Sequence, residues 1–195
     1  MQISAEFVTS AAGAGDFPRD RLTEVAMVGR SNVGKSSLIN ALVRRPVART
    51  SAAPGKTRLA NYYRAQRGTM PPLYLVDLPG YGYARGGDAA AREFDTLAQA
   101  YFSRDVSLGV LLLVDSRHPG LESDLDTWEW VKSQGVPRAI VGTKVDKLTR
   151  AERVRHAREL GSLFDAPVLL VSAQNGEGLE ELWKLIARLP KETAA

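Results

Sequence analysis

The sequence predicts an α/β fold in three layers, with a mostly parallel sheet of six or seven strands covered by helices on both faces. Two observations carry this. Short runs rich in Val, Ile and Leu, bounded by Gly, Pro and Asp, alternate with segments of helical period, the pattern of parallel strands joined by crossover helices. One pair of runs breaks the rule, because "QRGTMPP" between them is too short for a crossover helix and makes that pair antiparallel.

Taken in order, strands are expected near 5–9, 24–29, 60–66, 73–77, 109–114, 138–142 and 168–171. The low-complexity "SAAGAG" at 10–15 reads as a turn before the core, mobile near 10–20. "SSLINALV" continues from the second strand as an apolar-periodic helix. "REFDTLAQAYF" places Phe94, Leu97, Ala98, Tyr101 and Phe102 on one helical stripe, Leu125, Trp128 and Val131 suggest another, and "LEELWKLIARL" aligns Leu179, Leu182, Trp183 and Ile186. These stripes, tryptophans included, are core rather than ligand-bearing surfaces. No internal repeat is visible, and 195 residues suit one domain spanning 1–195.

The chain has no cysteine, so disulfides, thiolate metal sites and cysteine nucleophiles are excluded, as suits a reducing compartment such as the cytoplasm. Its longest apolar run, "LGVLLLVD", is far shorter than the roughly 20 residues that cross a membrane, and the first residues lack a basic stretch before an apolar one, so export is not expected. A net charge of +4 admits an acidic partner but does not specify one.

"GRSNVGKS" at 29–36 matches G-x-x-x-x-G-K-[ST], between the strand "EVAMV" and the helix "SSLINALV", which is the context a phosphate-binding P-loop requires. Gly29 and Gly34 let the backbone of Arg30, Ser31, Asn32 and Val33 wrap closely, so that N–H groups face phosphates beside a helix N-terminus. Lys35 bridges the outer phosphates, the Ser36 hydroxyl ligates Mg²⁺, and Ser37 follows in the first turn. The predicted fold is therefore a P-loop NTPase.

"LYLVDLPG" ends a strand in D-x-x-G, with Asp77, Leu78, Pro79 and Gly80. Asp77 is placed to hold the Mg²⁺ through water, and the Gly80 N–H to reach the γ-phosphate. "AIVGTKVD" ends another strand in T-K-x-D: Thr143, Lys144, Val145 and Asp146. Asp146 would accept from the N1–H and N2 amino group of guanine while the Lys144 stem covers the base. Adenine lacks both donors, so GTP is favoured over ATP. Thr143 stands where Asn is more usual. "VLLVSAQ" adds Val171, Ser172 and Ala173, with backbone to donate to guanine O6.

On these residues, with "GRSNVGKSSLIN" at 29–40, "RTSAAPGKTR" at 49–58, "DLPGYGYA" at 77–84, "DSRHP" at 115–119 and "TKVD" at 143–146, the sequence resembles the EngB family of bacterial ribosome-assembly GTPases, within the translation-factor-related group. The resemblance covers most of the chain, and T-K-x-D is the family's own form. It implies a G domain that hydrolyses GTP to GDP with Mg²⁺ and a role in maturing the large ribosomal subunit. It also implies that Thr57, in the Pro54, Gly55, Lys56, Thr57 segment, is a switch residue that reaches Mg²⁺ and the γ-phosphate only in the GTP state. Lys35, Thr57 and Gly80 are then the catalytic set, and Ser36 and Thr57 the metal ligands.

Tyr81 occupies the position where Ras-like GTPases have a water-orienting Gln, so slow intrinsic turnover is expected. Asn32 lies where some relatives help hold K⁺ beside the phosphates, which makes K⁺ activation an expectation; the alternative is that Asn32 only shapes the loop. His118 is expected to order its loop, and His156 to face solvent. Between Arg44 and Arg67 there are seven cationic side chains and no Asp or Glu: Arg44, Arg45, Arg49, Lys56, Arg58, Arg64 and Arg67. That run is the expected contact for ribosomal RNA of the large subunit or its precursor, and the protein is expected to be a monomer that makes no membrane contact. The second cluster, Arg150, Arg153, Arg155 and Arg158, reads as an exposed helix face. A small P-loop kinase and a GTP-holding module without hydrolysis are the rival readings.

Overall fold

The computed structural model describes residues 2–49, 59–80 and 87–191, without the side chains of 87–91. Seven strands form one sheet in the order β1-β3-β4-β2-β5-β6-β7, with β1 at Ile3–Ala11, β2 at Glu24–Gly29, β3 at Ala60–Arg67, β4 at Leu73–Asp77, β5 at Leu108–Asp115, β6 at Arg138–Thr143 and β7 at Val168–Leu170. Every residue of β2, β4 and β5 is buried, which is why these strands read as continuous apolar runs: helices cover both faces of the parallel part of the sheet. β4, β2, β5, β6 and β7 pair in parallel, so their carboxyl ends share one edge.

The short "QRGTMPP" connection does join antiparallel strands, β3 and β4, and β3 also pairs antiparallel with β1. β1 is longer than its sequence pattern suggested. It absorbs Ser10 and Ala11 and has an irregularity between Phe7 and Thr9, which interrupts the alternation that strand-reading depends on. Beyond it, the Asp16 carboxylate accepts from the Ala12 N–H at 2.9 Å, and Phe17 is buried against Tyr62 and Tyr101.

Helices α1 (Lys35–Val43) and α5 (Leu179–Arg188) pack on one face, and α2 (Gly87–Phe102), α3 (Glu122–Ser133) and α4 (Arg150–Phe164) on the other. Leu38, Ile39, Leu42, Leu182, Trp183 and Ile186 fill the first layer, and Leu97, Tyr101, Trp128, Val131, Leu160 and Phe164 the second. Each set recurs at helical spacing, so the stripes read from sequence are the buried faces. Trp130 packs on the rings of Phe94 and Phe102, joining α3 to α2. Among the described residues no helix is long and apolar enough to cross a membrane.

Two polar locks sit in this apolar frame. Arg104 donates to both oxygens of buried Glu24, at 2.9 and 2.6 Å, with its guanidinium 4.5 Å from the ring centroids of both Phe17 and Tyr101. The Trp183 Nε1–H donates to the Leu42 carbonyl at 3.1 Å, seating α5 on the end of α1.

Candidate functional site

The signature segments converge at the carboxyl edge of the parallel strands, where α/β proteins bind ligands. β2 ends at Gly29, residues 30–34 loop over, and α1 begins at Lys35. Gly34 has φ 110°, a conformation that L side chains avoid, and Asn32 has φ 63°. Val33 is buried and anchors the loop in the core, while Asn32 is exposed at its crest. The Lys35 ammonium turns back across the loop and donates to the carbonyls of Gly29 at 3.0 Å and Arg30 at 3.4 Å. Burial lowers its pKa, opposed by the nearby Asp77 charge.

Asp77, at the end of β4, accepts from the Ser36 hydroxyl at 2.7 Å through one oxygen. Its other oxygen is buried without a hydrogen-bond partner among the described residues, and burial raises its pKa against the pull of Lys35 and Ser36. An orphaned carboxylate oxygen beside a hydroxyl is an incomplete oxygen donor set of the kind that a Mg²⁺ ion or its water completes. Gly80 comes so close to the phosphate loop that an added Cβ would lie 2.8 Å from the Ser31 nitrogen. Leu78 packs into the core, so Leu78 and Pro79 shape the segment through backbone and packing.

On the other side of the loop, the Thr143 hydroxyl lies 2.8 Å from the Val33 carbonyl and 3.1 Å from that of Val114. Threonine therefore ties the base strand to the phosphate loop without the amide of the more usual Asn. Lys144 has φ 62°, and its ammonium donates to the Asn32 carbonyl at 2.7 Å and to Asp115 at 3.0 Å. Val145 is buried beneath this turn, and its N–H donates to Val171. Asp146 accepts from the Ser172 hydroxyl at 2.7 Å; that bond, and Lys147 after it, hold its pKa below the usual value. The Ser172 N–H is committed to the Glu177 carbonyl at 2.9 Å, which leaves the Ala173 N–H as the donor the segment has for O6 of a base. The role of the Ser172 side chain had no local sequence signal, since its partner is 26 positions away.

Several expectations change. The Arg30 side chain, to which the sequence assigned no role beyond its backbone N–H, forms an ion pair at 3.0 Å with buried Asp124 at the start of α3. His156 does not face solvent. It is buried, with Nδ1 2.7 Å from the Ser116 carbonyl, because it lies on the face of α4 that also carries Leu160 and Phe164 into the core. His118 closes a turn on Asp115 through its backbone, as a loop-ordering residue should. In the basic run, Arg67 pairs with Glu180 and lies over Trp183, with its side chain only 12% exposed; it is structural. Arg64 approaches Glu6 at 3.8 Å, and Arg44 approaches Glu180 at 4.0 Å. Arg45 and Arg49 remain exposed. In the second cluster Arg153 pairs with Glu177 at 2.7 Å, and Arg150, Arg155 and Arg158 are exposed. Pro54, Gly55, Lys56, Thr57, Arg58 and Tyr81 lie outside the described residues.

A parallel sheet with a glycine loop opening α1, flanked by an aspartate at each of two neighbouring strand ends, defines a P-loop GTPase. A family model described as a 50S ribosome-binding GTPase matches residues 24–144. The probable GTP-binding proteins EngB of Symbiobacterium thermophilum and Thermotoga maritima are 43% and 44% identical to this chain, over 95% and 96% of both chains respectively. The chain belongs to the EngB family of GTP-binding proteins. Two solved structures share its fold: Era in complex with MgGDPNP and a segment of 16S ribosomal RNA (TM-score 0.74, 24% identity, 87% of this chain and 57% of that one), and a probable GTP-binding protein EngB (0.65, 21%, 87% and 99%).

Proposed function

We propose that this protein is a slowly hydrolysing GTP switch of the cytoplasm that assists assembly of the large ribosomal subunit, working as a single, monomeric G domain. The observation that carries the reading is the meeting of the phosphate loop, Asp77 and the Asp146–Ser172 pair at one sheet edge. Loop N–H groups from Arg30 to Ser37 would cradle the phosphates, and Lys35 would exchange its two carbonyl partners for phosphate oxygens. Ser36 and Thr57 would hold Mg²⁺, with Asp77 behind its water, and the ion would neutralise charge developing between the outer phosphates. Gly80 brings its N–H to the γ-phosphate side with no side chain in the way. Asp146 selects guanine by pairing with two donors that adenine lacks, and stays ionised because Ser172 and Lys147 stabilise its charge.

Hydrolysis would reset the 49–58 segment, whose Thr57 senses the γ-phosphate. With Tyr81 in place of a water-orienting Gln, a bound cation or a partner would complete catalysis, and Asn32 at the crest of the loop is where K⁺ would act. Exposed Arg45 precedes that segment and exposed Arg49 opens it, so ribosomal RNA would meet the cationic surface where nucleotide state is read.

The test is co-sedimentation with purified 50S subunits at near-physiological salt. Pelleting with a non-hydrolysable GTP analogue but not with GDP is the expected result; equal pelleting in both would sink the nucleotide-gated reading.

A further inference from the structure

"DSRHP" at 115–119 is absorbed by neither phosphate nor base chemistry. We propose that Asp115 is a positioning residue for nucleotide binding: its buried carboxylate holds the Lys144 ammonium against the phosphate loop, locking the base half and the phosphate half of the site together. This rests on the GTP-binding reading above.

Asp115 ends β5, between the phosphate-loop strand β2 and the base-loop strand β6. Its side chain is 5% exposed, and among the described residues its hydrogen-bond partners are all donors. Arg117 supplies Nε at 3.0 Å, Nη2 at 2.8 Å and its backbone N–H at 3.1 Å, and Lys144 supplies its ammonium at 3.0 Å. Burial pushes the carboxyl upward, but the bonds from Arg117 and Lys144 outweigh it and hold the group well below its ordinary range. The carboxylate is thus charged, fixed and oriented before any nucleotide arrives.

Its effect passes through Lys144. That ammonium also donates to the Asn32 carbonyl at 2.7 Å, and both Lys144 and Asn32 have positive φ, 62° and 63°. Non-glycine residues persist there only where surroundings over-determine them. A lysine free in solvent would sample many rotamers, and stretching its stem along one path costs entropy on each binding event. With Asp115 in place, that cost falls on folding instead, so the stem is pre-set as one wall of the base pocket. The strut is braced from behind: His156 on α4 lies with Nδ1 2.7 Å from the Ser116 carbonyl, which accepts a hydrogen from it.

The experiment is a double-mutant cycle read by titration with fluorescent N-methylanthraniloyl-GDP and the corresponding non-hydrolysable GTP analogue. Asp115→Asn keeps the shape but removes the charge. It should weaken both nucleotides by the same factor, roughly tenfold to hundredfold, mostly through faster dissociation. In a Lys144→Met background the same substitution should change affinity by less than about twofold, because a residue that acts through Lys144 has nothing left to position. Equal losses in the two backgrounds, or wild-type affinity in Asp115→Asn, would overturn the proposal. Failure of the wild-type protein to bind either probe would instead overturn the GTP reading. Should Asp115→Asn not fold, Arg117→Gln removes two of the bonds that fix the carboxylate: affinity should fall about threefold with Lys144 present and not at all with Lys144→Met, and equal losses in both again overturn it.

Discussion

On the proposed reading, Asp146, held by Ser172 at 2.7 Å, decides which base is bound. Replacing Asp146 with Asn exchanges an acceptor for a donor, so GDP affinity should fall by at least about a hundredfold. Xanthosine diphosphate, whose base has a carbonyl where guanine has its amino group, should bind more tightly to the variant than GDP does, as a competition titration would show. The pH dependence follows from the same pair. Asp146 has a folded-state pKa below its unfolded value, so its contribution is present above the ordinary aspartate pKa of ~3.9 and is lost as pH falls through the lowered one. The Asp146 contribution to GDP affinity, read as the ratio of wild-type to Asp146→Asn affinity at each pH, should therefore stay flat from about pH 8 to about pH 5, while Ser172→Ala moves its acid limb upward. At the phosphate side, Gly80→Ala would press a methyl against the Ser31 nitrogen. Backbone cannot yield as a side chain can, so GTP-dependent turnover should drop with far-UV circular dichroism unchanged.

Elements are held together by contacts that no local pattern announces. Arg104 follows α2 and Glu24 opens β2, and the pairing of partly buried Arg104 with buried Glu24 joins the helix layer to the sheet. Arg104→Ala would leave Glu24 buried and uncompensated, a loss of roughly 3–5 kcal/mol, and guanidinium denaturation should record it as a lower midpoint. The start of α4 is different in kind. Thr149 and Glu152 form a reciprocal capping box, readable directly from "TRAE", and Thr149→Ala should cost only about 1 kcal/mol. The contrast is one of desolvation: the capping groups are exposed and can turn to water, whereas Glu24 cannot.

For the molecule as a whole, the useful division is between charge that faces outward and charge that holds the fold. Arg45→Glu with Arg49→Glu should weaken 50S co-sedimentation and flatten its salt dependence, because each phosphate contact contributes to the salt slope. Reversal of Arg67 should instead lower thermal stability, since Glu180 and Trp183 hold that side chain. Turnover measured in KCl against NaCl tests the proposed K⁺ role at Asn32; equal rates would leave Asn32 as a loop-shaping residue whose carbonyl serves Lys144.

The succession of strands and helices along the chain, the antiparallel β3–β4 pair, the phosphate loop and the three strand-end segments were all legible from the sequence, because each depends on residues within a few positions of one another. Glycines that permit a turn, apolar residues at a fixed period and a carboxylate at a strand end need no distant partner to be recognised. What tertiary structure decided is which side chains meet across the sheet. It turned Arg30 to Asp124, took His156 out of solvent, withdrew Arg67 from the basic surface and put Asp115 between Arg117 and Lys144. The physical reason is shared by all four: a buried charge or imidazole must find a partner, and which partner is within reach depends on strand order and helix rotation, neither of which is written in any short stretch of sequence.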